Sequence, residues 1–118
     1  MKAKLTIIAL TALLAAGCAN TVKPMYDYAD YSESFYAMKR DTGAESEAEW
    51  KSSLEEIITS AETKQLRVPP GVFANLGYLH LKANDEPKAI SYFEMEMKTY
   101  PEATVFMTGL INKVKAKG

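Results

Sequence analysis

The stretch that decides the fold is PPGVFANLGYLHLKANDEPKAISYFEMEMKTYPEA, residues 69–103. Its apolar residues recur at intervals of three and four, which is typical of helices with one buried face. Pro87 falls where a second helix would begin, a place at which its missing N–H costs little, and Pro101 ends that helix. The stretch therefore predicts two consecutive helices.

The order of residues in this stretch resembles the tetratricopeptide repeat (TPR), a helix–turn–helix unit of about 34 residues with the pattern W-x₂-L-G-x₂-Y, then A-x₃-F, then P. If Pro70 opens the unit, it spans residues 70–103. The positions that match outright are Leu76, Gly77, Ala89, Phe93 and Pro101. Phe73 takes the aromatic place and His80 the tyrosine place, whereas Glu96 stands where the repeat usually has alanine. The resemblance implies an antiparallel helical hairpin.

The small residues of the pattern have a physical role. Two antiparallel helices approach closely only if small side chains lie where they cross, and Gly77 and Ala89 supply them. Leu76 and Phe93 are expected to fill the space beside the crossing. Because a single unit of this kind cannot bury its own faces, further helices must pack on either side of it.

Two flanking segments have the pattern of such helices. The first is predicted over 46–66, from a capping box at Ser46–Glu49 to the helix-breaking Val68-Pro69-Pro70. Its apolar positions are Trp50, Leu54, Ile57, Ile58 and Ala61. The second is predicted over 102–116, and its apolar positions are Val105, Phe106, Leu110, Ile111 and Val114. Residues 46–118 are therefore predicted to form an all-α domain, a compact bundle of about four helices with the TPR-like hairpin inside it.

The N-terminus has the features of an export signal. Two lysines precede an apolar run of about a dozen residues, fewer than the roughly 20 that a membrane-spanning helix needs. The run ends in LLAAGCAN, residues 13–20, and Cys18 is the only cysteine of the chain. Ala15-Ala16-Gly17-Cys18 resembles the lipobox of bacterial lipoproteins, although leucine is commoner than alanine at its first position. The resemblance implies cleavage before Cys18 and a diacylglycerol on its sulfur.

This resemblance divides the first part of the chain into a signal peptide over 1–17, a lipidated tether over 18–25 and a Tyr-rich segment over 26–45. The alternative is a plain signal peptide with a stray cysteine, but an exported lone thiol has no partner for an internal disulfide. Acyl chains contribute about 0.8 kcal/mol per buried CH₂, so a multiply acylated terminus would stay in the membrane. Since Ala19 and not aspartate follows the cysteine, the sorting rules of Gram-negative lipoproteins imply the periplasmic leaflet of the outer membrane.

The composition argues against several classes of function. The full chain has 14 basic and 15 acidic side chains, and loss of the signal's two lysines would leave 12 and 15, a net charge of about −3. That balance is unlike the basic surface of nucleic-acid-binding proteins. The single histidine, His80, is expected to pack in the hairpin, and no second histidine or free cysteine completes a metal site. Glu94 and Glu96 are expected to be exposed, so we predict no catalytic residue, no metal and no cofactor beyond the covalent lipid.

The segment MYDYADYSESFY, residues 25–36, contains four of the seven tyrosines. One interpretation is that it packs on the bundle and closes its open end, with a short helix over 32–39. The other is that it forms a docking surface, because tyrosine is enriched at protein interfaces. Tyr28 and Tyr31 are the candidate binding residues of the second interpretation, and the two interpretations are compatible.

TPR-like surfaces usually bind peptides or partner helices. By that resemblance, the inner face of the first helix of the hairpin would present Ala74, Asn75, Tyr78, Leu81 and Lys82. Asn75 is a candidate for holding a peptide backbone through its amide, and Tyr78 and Lys82 are candidates for contacting the partner. The alternative is that these positions are simply exposed or half-buried, since one unit makes no long groove.

Nearly the whole mature chain is similar to the small lipoproteins of the DUF4810 family. The similarity rests on Tyr26–Tyr36, Trp50–Ile58, Arg67–Leu79 and Ala89–Met107, and its most specific stretch is RVPPGVFANLGYL, residues 67–79. Members are typically encoded beside a CsgG-like outer-membrane lipoprotein and a second small lipoprotein, which implies a shared envelope complex and no particular reaction. We therefore expect a non-enzymatic assembly or stabilising factor with a CsgG-like partner. The alternative is a structural envelope protein that binds peptidoglycan or another surface polymer.

Overall fold

The computed structural model describes residues 23–40 and 43–118, and within these ranges the protein is helical and has no strand. Its helices are α1 Tyr31–Arg40, α2 Ala44–Lys64, α3 Val72–Lys82, α4 Glu86–Thr99 and α5 Thr104–Lys117, with a short 3-10 turn at Pro101–Ala103. The predicted all-α class is confirmed. The described part has five helices instead of about four, because the Tyr-rich segment contributes α1. The predicted signal peptide and Cys18 lie outside the described residues.

Helices α3 and α4 form the predicted hairpin, and they cross closely at Gly77. A Cβ atom added to Gly77 would lie 2.6 Å from Cε1 of Phe93 and 3.1 Å from the carbonyl oxygen of Ala89. Both separations are shorter than ordinary van der Waals contact, so only glycine fits at this position. The predicted crossing of small residues is confirmed.

The turn between α3 and α4 is built from its own polar residues. Asn84 takes a left-handed conformation with φ of 59°, which a short polar side chain tolerates better than most. The carboxylate of Asp85 accepts a hydrogen bond of 3.3 Å from the N–H of Lys88 and so caps α4. Pro87 occupies the first turn of α4, as predicted.

Two clusters of buried apolar side chains hold the flanking helices. The first joins α2 to α3 and consists of Trp50, Leu54, Ile57, Val72 and Leu76. The second joins α4 to α5 and consists of Ala89, Phe93, Met107, Ile111 and Val114. The hairpin is therefore covered by a helix on either side, as predicted.

The predicted start of the first flanking helix is wrong. Helix α2 begins at Ala44, and its N-cap residue Gly43 makes no side-chain cap. Ser46 lies inside the first turn, where its hydroxyl donates a hydrogen bond of 2.9 Å to the carbonyl oxygen of Gly43. A serine within a helix commonly bonds to such a preceding carbonyl, so Ser46 is not the N-cap residue.

Two other helix ends also differ from the prediction. Helix α2 ends at Lys64 and not near Leu66, because Gln65 adopts the left-handed conformation with φ of 53°. The N–H of Leu66 donates to the carbonyl oxygen of Ala61 over 2.8 Å, in the manner of a common C-terminal capping motif. Helix α5 begins at Thr104 and not at 102, because Pro101–Ala103 first form the 3-10 turn.

Glu96 was expected to be exposed, and that expectation is wrong. Its residue is 4% exposed. Its carboxylate accepts hydrogen bonds from the N–H groups of Gly71 (2.7 Å) and Ala74 (3.3 Å) at the start of α3. The first N–H groups of any helix lack partners within the helix, and the N-cap residue Gly71 has no side chain to supply one. Glu96 on α4 therefore caps α3 and adds a second connection within the hairpin.

Among the described residues, no helix is both long and apolar enough to cross a membrane.

Replacing Gly77 with alanine is expected to destabilise the protein by about 1–3 kcal/mol, because an added methyl group in a tightly packed interior displaces its neighbours. Gly109→Ala is the matched control, since a Cβ added there would meet nothing within 4 Å. In the monomeric chain we expect that control to be up to about 1 kcal/mol more stable than the wild type through its helix propensity. Urea denaturation measures both changes, and a Gly77→Ala variant as stable as the control would contradict the close crossing.

Candidate protein-binding cleft

A cleft of about 400 Å³ lies between α1, the beginning of α2 and the second half of α3. We call it the α1–α3 cleft. Its aromatic lining residues are Phe35, Trp50 and Tyr78, and its charged ones are Lys39, Glu47 and Lys82. Clefts that combine an apolar lining with a few polar groups at defined positions are common binding sites.

Trp50 forms the floor of the α1–α3 cleft. Its residue is 2% exposed, and two rings of α1 cover it. Tyr31 meets it edge-on with ring centroids 4.8 Å apart, and Phe35 lies at a tilt with centroids 5.5 Å apart. Aromatic pairs in such geometries contribute about 0.5–1.5 kcal/mol beyond burial of their area, so Trp50 fixes α1 on α2.

The rim of the cleft combines an exposed ring with charges. Tyr78 is 58% exposed. Lys82 on α3 is paired with Glu47 on α2, and its hydrogen bond to that carboxylate raises the pKa of Lys82. The ammonium of Lys39 lies 5.6 Å from the centroid of the Phe35 ring, within the range of a cation–π contact.

The structure brings three of the five predicted binding residues together at the α1–α3 cleft. These are Asn75, Tyr78 and Lys82. The amide group of Asn75 is already engaged, because its Nδ2 donates to the carbonyl oxygen of Gly71 over 2.8 Å. Lys82 has its partner in Glu47, so Tyr78, which is 58% exposed, is the strongest candidate of the three.

The other two predicted residues, Tyr28 and Tyr31, are not among the lining residues of the cleft. Tyr31 packs behind it against Trp50, and burial raises the pKa of its hydroxyl. Tyr28 is 45% exposed and meets Tyr31 edge-on with centroids 5.9 Å apart. The predicted inner face of α3 is also divided, since Ala74 and Leu81 pack against the α4–α5 cluster instead.

Sequence reasoning missed six of the lining residues, namely Phe35, Met38, Lys39, Glu47, Trp50 and Leu79. The apolar period of α2 assigns Trp50 to the core, and it is indeed buried. That α1 lies across it depends on contacts between distant parts of the chain. For the contact between α1 and Trp50, the one available signal in the sequence was the presence of an aromatic cluster at 26–36 together with a single tryptophan.

The chain before α1 is fastened to α2 by a cluster of polar contacts that we call the Asp27 clamp. The carboxylate of Asp27 accepts hydrogen bonds from the hydroxyl of Ser60 (2.9 Å) and the N–H of Ala29 (3.0 Å), and it is paired with Lys64. The ammonium of Lys23 donates to the carbonyl oxygen of Lys64 over 2.8 Å. The clamp therefore holds the N-terminal segment at the C-terminal end of α2.

Further along the same segment, the carboxylate of Asp30 accepts a hydrogen bond of 3.3 Å from the hydroxyl of Ser53. As the N-terminal segment runs from residue 23 to residue 31, its contacts on α2 move backwards along that helix, from Lys64 through Ser60 and Ser53 to Trp50. The segment runs antiparallel to α2 and packs on the bundle, in agreement with the first of the two interpretations.

His80 has structural partners. Its residue is 6% exposed, its Nδ1 lies 3.3 Å from a carboxylate oxygen of Asp85, and its ring stacks on Tyr92 with centroids 5.4 Å apart. The predicted packing position in the hairpin is confirmed. In the two described ranges, no cluster of three His, Cys, Asp or Glu side chains has an arrangement that could hold a metal ion.

The Asp27 clamp makes stability depend on pH. Its hydrogen bonds, chiefly the one from Lys64, lower the pKa of Asp27 from 3.8 to about 2. Because the pKa of Asp27 is lower in the folded than in the unfolded protein, the ionised carboxylate stabilises the folded state. This stabilisation is complete above about pH 4, the unfolded pKa, and is lost as the pH falls through about 2, the folded pKa. Asp27→Asn is therefore expected to be less stable than the wild type at neutral pH, and the difference should vanish towards pH 2.

Thermal unfolding of both proteins between pH 2 and pH 7 measures that difference. The matched control is Glu62→Gln, because Glu62 is exposed near the same end of α2 and its carboxylate takes no part in the clamp. A stability difference for Asp27→Asn that stays constant over the whole pH range would contradict the clamp.

The comparisons with known proteins give one match. The profile of the family described as "Domain of unknown function (DUF4810)" matches residues 25–110, which are 86 of the 118 residues. No curated protein and no solved structure matches the chain. The matched range includes α1 to α4 and the whole lining of the α1–α3 cleft. The chain therefore belongs to the DUF4810 family.

Proposed function

We propose that this protein is a lipoprotein of the outer membrane and acts as a non-enzymatic assembly or stabilising factor for an envelope complex. A lipid on Cys18 holds it in the periplasmic leaflet, and the α1–α3 cleft binds a protein partner. By the family resemblance, that partner is a CsgG-like outer-membrane lipoprotein, joined by a second small lipoprotein. The observation that carries the proposal is the exposed Tyr78 beside the buried ring of Trp50.

The chemistry of the cleft supports a protein as its ligand. Tyrosine provides a large contact area with few rotatable bonds, and tyrosine and tryptophan are enriched among residues that dominate binding energy. Around Tyr78 the rim has fixed charges in the Lys82–Glu47 pair and the Lys39–Phe35 contact. A partner segment with an apolar side chain between polar neighbours would fit this arrangement. The TPR-like order of residues in the hairpin agrees with it, since such hairpins commonly bind peptides.

The path of the N-terminal segment supports the orientation that this function needs. Cys18 and Lys23 are five residues apart, so they are separated by at most about 17 Å of extended chain. The Asp27 clamp holds Lys23 at the C-terminal end of α2, whereas the cleft lies near Glu47 at its other end. Along the helix these ends are about 25 Å apart. A lipid on Cys18 would therefore place the C-terminal end of α2 at the membrane and direct the cleft away from it.

Anchoring also strengthens a contact that is weak in solution. Two proteins confined to the same membrane meet at a high effective concentration, so modest affinity at the cleft is sufficient for a stable complex. A catalytic role has less support. The one histidine is buried against Asp85 and Tyr92, and we assign no residue of the cleft to a reaction.

Removal of the Tyr78 ring is the test of the cleft. The tagged chain is purified from its native membrane in mild detergent, and the proteins that accompany it are quantified by mass spectrometry. We expect a stoichiometric CsgG-like protein with the wild type and at least about tenfold less of it with Tyr78→Ala, the loss typical of a residue that dominates an interface. The matched control is Tyr36→Ala, because Tyr36 is 64% exposed on α1 and lies outside the cleft.

Equal retention by the two variants would contradict a role for the cleft. A wild-type chain that carries only cell-wall fragments, or that binds purified peptidoglycan sacculi, would favour the alternative of a structural envelope protein. That outcome would replace the proposed partner and not only the proposed surface.

The anchor is tested separately at Cys18. Cys18→Ala removes the only thiol that can receive the lipid, so the variant is expected to leave the membrane fraction. Circular dichroism of the released variant should retain the helical spectrum, because the helices and both apolar clusters lie within 31–117. A variant that stays membrane-bound would contradict lipid attachment at this residue.

A further inference from the structure

The surface of α5 that faces away from the bundle contains large apolar side chains. Met107, Ile111 and Val114 point into the α4–α5 cluster and account for the buried face of the helix. Val105 and Phe106 lie outside it and are 87% and 67% exposed. Contiguous exposed apolar side chains are characteristic of interaction sites, and Val105 and Phe106 are neighbours on this surface.

Gly109 lies in the middle of the same helix and has no packing role within the chain. A Cβ added there would meet no atom within 4 Å, in contrast to Gly77. Glycine weakens a helix interior, and one packing reason for a glycine there is the close approach of another backbone. Within the described residues nothing approaches Gly109, so the space above it is open for a second helix.

A groove of about 300 Å³ lies along the C-terminal half of α5, against Leu81 at the end of α3. Its apolar lining residues are Leu81, Leu110, Val114 and Ala116, and the stems of Lys113 and Lys117 border it. A phenyl ring is the kind of group that such a groove holds. Phe106 is exposed and is not one of the residues that line the groove, so its ring is available to enter the groove of a second copy.

The charges on this side of α5 indicate that the binding partner is a second copy of the chain. Positions 102, 106, 109, 113 and 117 follow one another at spacings of three and four, so they share one face of the helix and of the turn before it. This face is acidic at Glu102 and basic at Lys113 and Lys117. Among the described residues, none of these three charges belongs to an ion pair. A second copy that lies antiparallel would oppose the acidic end to the basic end twice, whereas a parallel copy would oppose lysine to lysine.

The register follows from Gly109. Suppose that two α5 helices cross at Gly109 about a two-fold axis. A residue that lies a given number of positions before Gly109 in one copy is then level with the residue the same number of positions after Gly109 in the other copy. Phe106 then lies level with position 112, between the groove residues Leu110 and Lys113 of the other copy, and Glu102 lies level with position 116, between Lys113 and Lys117. One crossing point therefore places both the ring and the charges against complementary surfaces, as an interface with two-fold symmetry requires.

We propose that two copies of this protein associate through α5, antiparallel and crossing at Gly109, with the Phe106 ring of each copy in the groove of the other. This interface is separate from the α1–α3 cleft and does not depend on the proposed function. Its residues lie on α5, on the turn before it and at the end of α3.

Disulfide trapping in the full-length chain tests the arrangement. Gly109→Cys places two thiols on the two-fold axis, where the helix backbones are near enough for a disulfide. Val105→Cys is the matched control, because Val105 is more exposed than Phe106 and lies one turn away on the same helix. In the antiparallel pair its two copies are about 12 Å apart along the helix, beyond disulfide reach. The wild type, with only Cys18, gives the background of cross-linked dimer.

With mild oxidant and the protein in detergent micelles, most of the Gly109→Cys chain is expected to form a covalent dimer, at least about fivefold more than Val105→Cys. Similar yields for the two variants indicate random collision, and a higher yield for Val105→Cys indicates another register. A Gly109→Cys yield at the background level indicates no interface at this position. Each of these three results overturns the proposal.

Reversal of charge tests the register independently. In the Gly109→Cys chain, Glu102→Lys is expected to lower the dimer yield about tenfold, because it opposes lysines to lysines in both halves of the interface. Adding Lys113→Glu and Lys117→Glu restores opposite charges and is expected to restore the yield. All of these residues are exposed, so the variants should fold, and circular dichroism checks that they do. If the Gly109→Cys chain with all three charge reversals forms as little dimer as the one with Glu102→Lys alone, the antiparallel register is overturned.

Discussion

The rest of the structure depends on the close crossing of α3 and α4 at Gly77. Because no side chain separates the two helices there, Phe93 and the backbone at Ala89 lie directly against α3. Glu96 fixes a second point by capping the start of α3 from α4. With one face of α3 occupied in this way, its opposite face is presented to α1 and α2. Tyr78 points about 100° round α3 from Gly77 and lines the cleft.

The N-terminal segment is a structural part of the bundle. Helix α1 has no fully buried residue, and it is held by rings against Trp50 and by polar contacts from Asp27 and Asp30 to α2. It covers the apolar cluster of α2 and α3 and provides one wall of the cleft. The same segment that leads towards Cys18 thus also forms part of the proposed binding site. In the proposed function, anchoring and binding would therefore both involve this segment.

The hairpin and its flanking helices could be predicted from the sequence because their signals are local. The apolar period of 69–103, the prolines at its ends and the glycine of the crossing all act within a few residues. The buried position of Glu96 could not be predicted in this way. Its partners lie 25 and 22 residues earlier in the chain, and they are backbone N–H groups, which have no sequence signature. The Asp27 clamp and the position of α1 over Trp50 likewise depend on contacts between distant parts of the chain, which the local pattern does not encode.

The central claim is that the α1–α3 cleft is where a partner protein binds, and it is tested most directly by contact at Tyr78 in the intact membrane. A photo-reactive phenylalanine derivative is introduced at position 78, and separately at position 36 on the exposed side of α1, in otherwise full-length chains. After irradiation of cells, the covalent products are identified by mass spectrometry. The account predicts one product at position 78, with a CsgG-like outer-membrane protein, and little of it at position 36. The absence of a protein product at position 78, or the same product in equal yield at both positions, would contradict it.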